Sequence, residues 1–231
     1  MVTKSNGNMY PDKDTWNPLA GDCFHNCSYC YRNSWKKRSK NCARKYSGEI
    51  RLWKKEFNSL GYGNEIFVCS MTDLFAKDVP STLIEIILGY CKNYNNTYLF
   101  QTKNPQRLFD FINLLPDKTI LGTTIESNRF PKNLSKAPSP EERAYWMSVL
   151  KSEVKDKYKF MVSIEPVIKF DLDVLTSMLK NILPDYISIG ADSKNNDLEE
   201  PAKVELKKLI KLLGDFTEVK LKNNINRLIA K

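Results

Sequence analysis

The sequence predicts an α/β protein, a partial (β/α)6-type barrel with parallel strands and a cysteine-rich loop after the first strand. Two observations lead to this class. Short apolar runs of strand length alternate with segments that carry a helical stripe, which is typical of repeated βαβ units. The number of units is six or seven, too few for an eightfold barrel, and 231 residues suit one large domain. We therefore expect a single domain over residues 1–231, although an open doubly wound sheet would share this pattern.

The predicted strands are rich in β-branched and aromatic residues. A short first strand is expected near Thr15 to Asn17. The six that follow are expected at 65–70, 97–102, 119–125, 159–166, 185–190 and 218–222.

The predicted helices lie between these strands. Pro80 is placed to open one helix, and Ser139 with the acids after Pro140 forms a good start for another. Asp171 is expected to cap a third helix, and Gly214 to close a fourth. A stripe of Leu108, Phe111, Ile112 and Leu115 predicts one more helix.

Composition and charge limit the classes of protein. The net charge is +9 and the pI is about 9.1, which permits phosphate-rich partners. No run reaches membrane-span length and the N-terminal residues lack an apolar signal core, so we expect a cytoplasmic protein with no membrane partner. Six cysteines in such a chain favour metal ligation or burial over a disulfide framework.

Polar side chains follow every predicted strand. Because the carboxyl ends of parallel strands meet at one edge, these side chains should line a common site. In chain order they are Cys23, Cys27 and Cys30; Ser70, Thr72 and Asp73; Gln101, Lys103 and Asn104; Thr124, Glu126 and Ser127; Ser163 and Glu165; Gly190, Asp192 and Ser193; and Lys222.

Three cysteines, Cys23, Cys27 and Cys30, stand within eight residues. Three close thiolates indicate a metal or iron–sulfur site with one position left for another ligand. The alternative is structural zinc, with Cys42 or His25 as the fourth ligand. A zinc knuckle usually shows two spaced ligand pairs, and the sequence has one.

This spacing, placed after a first strand, resembles the radical S-adenosylmethionine (radical SAM) superfamily. The segments WNPLAGDCFHNCSYCYRN, FVCSMTDLFAKDVP, FQTKNPQRL, LGTTIES and FMVSIEPVI are similar to a small phage and prokaryotic radical SAM family, and more distantly to spore photoproduct lyase. The resemblance implies that the three cysteines hold three irons of a 4Fe–4S cluster. SAM would then be the ligand of the fourth iron.

The resemblance also implies a set of SAM-binding residues. Ser70 and Asp73 would face the amino end of SAM, and Lys103 its carboxylate. Tyr29, Glu126 and Glu165 would lie on its adenine and ribose side. Ser70-Met71-Thr72-Asp73 stands where the superfamily has Gly-Gly-Glu.

The chemistry implied by the resemblance is reductive cleavage of SAM to methionine and a 5′-deoxyadenosyl radical, which abstracts hydrogen from a substrate in a reaction of lyase or transferase type. The cofactor supplies the difficult step and the protein binds and orients it. An external one-electron reductant of the flavodoxin or ferredoxin type is implied as a partner.

Several residues have two interpretations. Cys69 is a weak candidate for a catalytic hydrogen donor, and burial in the core is the simpler role. His25 is expected as a polar loop residue, Cys42 in a polar loop and Cys91 in the core, with no second cluster. For Glu126 and Glu165 the alternative roles are an ion pair with Lys103 or an acid–base pair.

The substrate class is open in the sequence. Segment 32–45 has seven basic residues and no acid, with Tyr31 and Trp35 close by. Such a segment suits a nucleic acid or nucleotide, or it is a solvated lysine-rich helix or loop. A nucleobase or nucleic acid is the first candidate substrate, and a peptide or small metabolite is the second. A zinc-stabilised, non-catalytic nucleic-acid-binding protein is the alternative function.

Overall fold

The computed structural model describes Tyr10 and residues 12–230, which form two compact units. The first unit contains the described residues up to Asn26 together with Cys30–Leu121. The second contains Cys27–Tyr29 and the described residues from Gly122 onward. Within the described residues, no helix has the length and apolar character that a membrane crossing requires.

The first unit is built on parallel strands. Thr15 of the first strand lies opposite Phe67 of the fourth, and Ile66 lies opposite Tyr98 of the fifth. Its elements are β1 (Asp14–Trp16), β2 (Leu19–Ala20), α1 (Tyr31–Arg38), α2 (Lys40–Lys45), β3 (Arg51–Leu52), β4 (Glu65–Val68), α3 (Ser81–Lys92), β5 (Thr97–Thr102) and α4 (Pro105–Phe109), with short 3-10 turns at Lys54–Glu56 and Ile112–Leu114.

Residues 21–50 form an insertion between β2 and β3, which we call the excursion. The two strands are antiparallel, with Leu19 opposite Leu52. Beyond them the Gly21 amide donates to the Lys45 carbonyl at 2.9 Å. These backbone bonds close the base of a segment that carries α1, α2 and, apart from Cys27–Tyr29, the cysteine loop. No local signal in the sequence indicated this strand pair.

The second unit continues the βα alternation. Val162 of β7 lies opposite Ile187 of β8, which in turn lies opposite Val219 of β9. Its elements are the end of β6 (Thr119–Thr124), α5 (Pro140–Val154), β7 (Lys159–Ile164), α6 (Leu172–Ile182), β8 (Tyr186–Ile189), α7 (Lys203–Gly214), β9 (Glu218–Leu221) and α8 (Asn226–Ile229), with 3-10 turns at Lys155–Lys157 and Asn223–Ile225.

The predicted fold class is confirmed. Seven strands of the described chain are hydrogen-bonded in the order β1-β4-β5-β6-β7-β8-β9, and the pairs β1–β4, β4–β5, β7–β8 and β8–β9 are parallel. Apart from the small β2–β3 insertion, sheet order follows chain order, as expected for the parallel strands of a partial (β/α) barrel.

Most predicted helices form, although two of these three helices do not start as predicted. Ser139 and Glu142 make a reciprocal capping box at the start of α5. Pro80 occupies the position before α3 rather than its first turn. Asp171 precedes α6 without capping it, because its carboxylate instead binds Arg129.

Two local predictions were wrong. The stripe from Leu108 to Leu115 is not one helix: α4 ends at Phe109, and Leu115 is extended because Pro116 disfavours a helical residue before it. Cys42 lies in helix α2, not in a loop. The Ser39 hydroxyl accepts a hydrogen bond from the Cys42 amide and so starts this helix.

Candidate functional site

The cysteine loop turns tightly after β2. The Asn26 amide donates to the Cys23 carbonyl, and Asn26 itself takes a left-handed conformation that asparagine tolerates. Cys30 occupies the position before α1. All three cysteines are free thiols. Among the described residues, no three His, Cys, Asp or Glu side chains form a group that could hold a metal ion, so the ligand assignment depends on the sequence spacing.

The Cys23 thiol is set in polar surroundings. Burial and the nearby Asp73 carboxylate raise its pKa to about 12, and backbone hydrogen bonds from Asp73 and His25 act in the opposite direction. The thiol is therefore neutral at pH 7 without a metal. Backbone donors directed at a sulfur are the groups that stabilise a metal-bound thiolate. In this respect Cys23 fits an iron–sulfur ligand.

His25 lies in the cysteine loop, as predicted, and is buried there, with 2% of its surface exposed. Its Nε2 lies 2.9 Å from Oδ2 of Asp73, which follows β4. Its Nδ1 is also buried and has no hydrogen-bond partner among the described residues. A single histidine between two cysteines was the sequence signal, but its carboxylate partner lies 48 positions away.

Asp73 connects the cysteine loop with two strand ends. Its Oδ2 accepts the backbone N–H of Lys103, after β5, at 2.7 Å, and its Oδ1 accepts the amide of Phe75 at 3.0 Å. Burial raises the pKa of this carboxyl, but the charge and hydrogen bond of His25 and the Lys103 amide together hold it below its usual value. The structure thus brings together three predicted site positions, 23, 73 and 103.

Ser70 precedes Asp73 by three positions and also forms hydrogen bonds. Its hydroxyl bonds Oδ1 of Asn17 at 3.1 Å, and its carbonyl accepts from the Tyr31 hydroxyl. Asn17 also accepts the Met71 amide at 3.1 Å, so it fixes the turn after β4. Asn17 carried no functional signal in the sequence.

Cys69 directly follows β4 and takes a left-handed conformation. It is 5% exposed, and burial raises the pKa of its thiol far above the usual range. A neutral, buried thiol is the simpler of its two predicted roles. Cys91 is fully buried on α3, as predicted.

The second unit contains a buried polar triad. Tyr29 donates its hydroxyl proton to Oε1 of Glu126, and Oε2 of Glu126 lies 2.8 Å from Nη1 of Arg143. Glu126 and Arg143 side chains are each 1% exposed. Burial and the Glu126 charge raise the pKa of Tyr29 well above its usual value. The adjacent Ser28 amide bonds the Leu134 carbonyl at 2.9 Å, which ties this stretch to the same unit.

Glu165 follows β7 and pairs with Lys222, which follows β9. Both side chains are 15% exposed. Gly190 leaves room for the carboxylate, because a Cβ there would lie 2.6 Å from Oε1 of Glu165. Lys222 and Arg143 are thus partners of the two predicted glutamates. Arg143 was missed because an arginine on a helix is typical of an exposed face.

Solved structures with a similar fold bind SAM. Spore photoproduct lyase with bound AdoMet and dinucleoside spore photoproduct matches with a TM-score of 0.65 and 11% identity, over 96% of this chain and 78% of the lyase. Streptococcus suis SuiB bound to precursor peptide SuiA matches with a TM-score of 0.56 and 12% identity, over 90% of this chain and 48% of SuiB. SuiB bound to S-adenosylmethionine gives 0.55 and 10%, over 90% and 50%.

These solved structures share the fold of this chain, and at the level of the fold they confirm the resemblance predicted from the sequence. The chain belongs to the family described as "Protein of unknown function (DUF5131)", whose model matches residues 9–195. No curated protein sequence matches it.

Proposed function

We propose that this protein is a radical SAM enzyme. The observation that carries the proposal is the Cys23-x-x-x-Cys27-x-x-Cys30 spacing, after the first strand of a fold shared with a lyase that holds AdoMet. We further propose that one domain over residues 1–231 performs the reaction in the cytoplasm.

The three cysteines would hold three irons of one 4Fe–4S cluster, and SAM would complete the fourth. The free thiols, the backbone donors near Cys23 and the buried, unpartnered Nδ1 of His25 support an anionic group at this loop. When bound, the reduced cluster would supply the electron for reductive cleavage of SAM to methionine and a 5′-deoxyadenosyl radical, and hydrogen abstraction from the substrate would follow.

The remaining cofactor residues are proposed by motif. Ser70 and Asp73 would serve the amino end of SAM and the Lys103 ammonium its carboxylate. Tyr29, Glu126 and Glu165 would serve the adenine and ribose side. Glu165 fits this role best, because it is partly exposed and its charge is balanced by Lys222. Glu126 fits best as the group that positions Tyr29, since both its oxygens are already bonded.

The partners follow from this chemistry. A flavodoxin or ferredoxin type reductant would deliver the electron. A nucleobase or nucleic acid is the proposed substrate, in keeping with the +9 charge and with the dinucleoside bound by the similar lyase. A peptide is the second candidate, because SuiB binds one. The reaction after hydrogen abstraction would be of the lyase or transferase type.

The test is anaerobic reconstitution with iron and sulfide, followed by metal analysis and spectra before and after dithionite and SAM. We expect about four irons per chain, bleaching on reduction and release of 5′-deoxyadenosine. Cys27→Ala should lose the iron and the product. Cys42→Ala is the matched control, because it removes a free cysteine of the same excursion without touching the proposed ligands.

Two outcomes would contradict the proposal. One zinc per chain with no visible absorption would favour the zinc-stabilised binding protein. An equal iron content in Cys27→Ala and in the unaltered protein would show that Cys27 is not a ligand of the cluster.

A further inference from the structure

Helices α1 and α2 present an exposed cationic surface. We call it the basic surface and define it by the exposed residues Trp35, Lys37, Arg38, Lys40 and Arg44. None of its four cations forms an ion pair with a described residue. Two acids of the same unit have other partners, since Asp22 pairs with Lys36 at 3.0 Å and Glu56 with Lys45 at 2.7 Å. The surface therefore keeps its positive charge.

The cationic surface extends beyond α2. The guanidinium of Arg44 lies 5.9 Å from the ring centroid of Trp53, which places the residues after β3 against α2. Lys54 and Lys55 follow Trp53 and are exposed. Exposed cations thus occur in two separate stretches that meet at the Arg44–Trp53 contact, which suits the repeated charges of a polyanion.

Trp35 gives this surface an aromatic platform. It is 49% exposed, and the guanidinium of Arg38 lies 5.2 Å from its ring centroid. An exposed tryptophan among unpaired cations matches how proteins bind single strands, with bases stacked on rings and phosphates on cations. A lipid surface would require a broad apolar helix face. Helix α1 lacks one, because its other aromatic residue, Tyr31, bonds the Ser70 carbonyl.

The position of this surface links it to the proposed chemistry. Cys30 immediately precedes α1, and the β2–β3 pair closes the excursion that carries both. The basic surface therefore lies in the same segment of the chain as Cys30. We propose that the basic surface binds a single-stranded nucleic acid, the substrate or a part of it, with phosphates on the cations and a base on Trp35. Only the link to catalysis rests on the proposed function.

The experiment uses the full chain and a fluorescein-labelled twelve-nucleotide oligothymidine, with anisotropy measured from 50 to 300 mM salt. Single strands release about 0.7 counterion per phosphate contact, so four contacts predict a slope of about −3 in log K against log salt. Lys37→Gln/Arg38→Gln/Lys40→Gln should reduce the slope by about 2 and the affinity at least tenfold.

The matched control is Lys207→Gln/Lys208→Gln/Lys211→Gln. It removes the same charge from exposed positions of α7, and it should retain the affinity to within about threefold. Trp35→Ala should lower the affinity by roughly 5- to 150-fold, the range that corresponds to 1–3 kcal/mol of stacking, with an unchanged salt slope. Trp35→Phe should restore most of it.

Equal losses in the two triple variants would overturn the assignment, because they would reflect net charge alone. Equal affinity for duplex DNA, or preference for anionic lipid vesicles, would also overturn it. These binding measurements do not require the iron–sulfur cluster. If the protein takes up iron and cleaves SAM but does not bind the oligonucleotide, this inference alone is wrong. If it binds the oligonucleotide but takes up no iron on reconstitution, only the radical SAM proposal is wrong.

Discussion

At the scale of single residues, the polar groups of the candidate site are defined by their partners. Glu126 and Arg143 are both almost fully buried, and the pair also holds the Tyr29 hydroxyl. Burying two charges is costly, and the pair is tolerated because each charge compensates the other. Removing one member leaves the other uncompensated.

Arg143→Met should therefore lower the free energy of unfolding by about 3–5 kcal/mol, measured by urea denaturation. The double variant Glu126→Gln/Arg143→Met should lose clearly less, because no unpaired charge remains. Lys118→Met, at an exposed position, is the control and should change stability by less than about 0.5 kcal/mol. A double variant as unstable as Arg143→Met would show that the charge pair is not the cause.

At the scale of elements, an exposed ion pair joins the loop after β6 to the start of α6. Arg129 contacts Asp171 through Nη2 at 2.6 Å and through Nε at 3.0 Å, and Asn128 adds a hydrogen bond at 2.9 Å. The Arg129 hydrogen bond, with that of Asn128, lowers the pKa of Asp171 to about 2. The carboxylate thus joins two elements instead of capping the helix.

The sign of the pH effect follows from this lowered pKa. A carboxyl of ordinary pKa, near 4, binds protons more readily in the unfolded chain, so the pair's contribution is complete above about pH 4. It is lost as the pH falls toward 2. An NMR titration of the Asp171 carboxyl should show this low pKa, and Arg129→Gln should move it up toward 4. Arg38→Gln should leave it unchanged, and an Asp171 pKa near 4 in the unaltered protein would contradict the pairing.

At the scale of the whole molecule, SAM binding should increase the thermal stability of the protein. A ligand that binds only the folded state stabilises it by about 2.7 kcal/mol at one hundred times its Kd. For a chain of this length that corresponds to an increase in Tm of roughly 5–10 °C. The reconstituted protein should show this increase with SAM under anaerobic conditions. Cys27→Ala should not, and an equal increase in that variant would place SAM away from the cluster.

Much of the fold could be predicted because its signals are local. The run TYLFQT formed β5, and the Ser139 start formed α5, since strand length, β-branched content and capping are properties of neighbouring residues. The helix predicted from Leu108 to Leu115 failed where two local signals competed. Its stripe was right, because Leu108, Phe111 and Leu115 are buried, but Pro116 ended the helical conformation.

The candidate site was only partly predictable. Strand ends carry polar residues that a sequence reader can locate, and Ser70, Asp73 and Glu165 stand there as expected. Which groups meet was not visible, because buried polar groups find partners through long-range contacts. His25 bonds Asp73, Glu126 bonds Arg143 and Glu165 bonds Lys222, across separations from 17 to 57 positions.

By itself, the sequence determined the βα alternation, the cysteine spacing and the cationic, aromatic segment, since each is written in residues close along the chain. The tertiary structure alone decided that His25 is buried against Asp73, that Arg143 pairs with Glu126 and that β2 and β3 pair at the base of the excursion that carries α1. The physical reason is that periodicity reports which face of an element is apolar, whereas the register of strands and the turns after them decide which polar side chains meet.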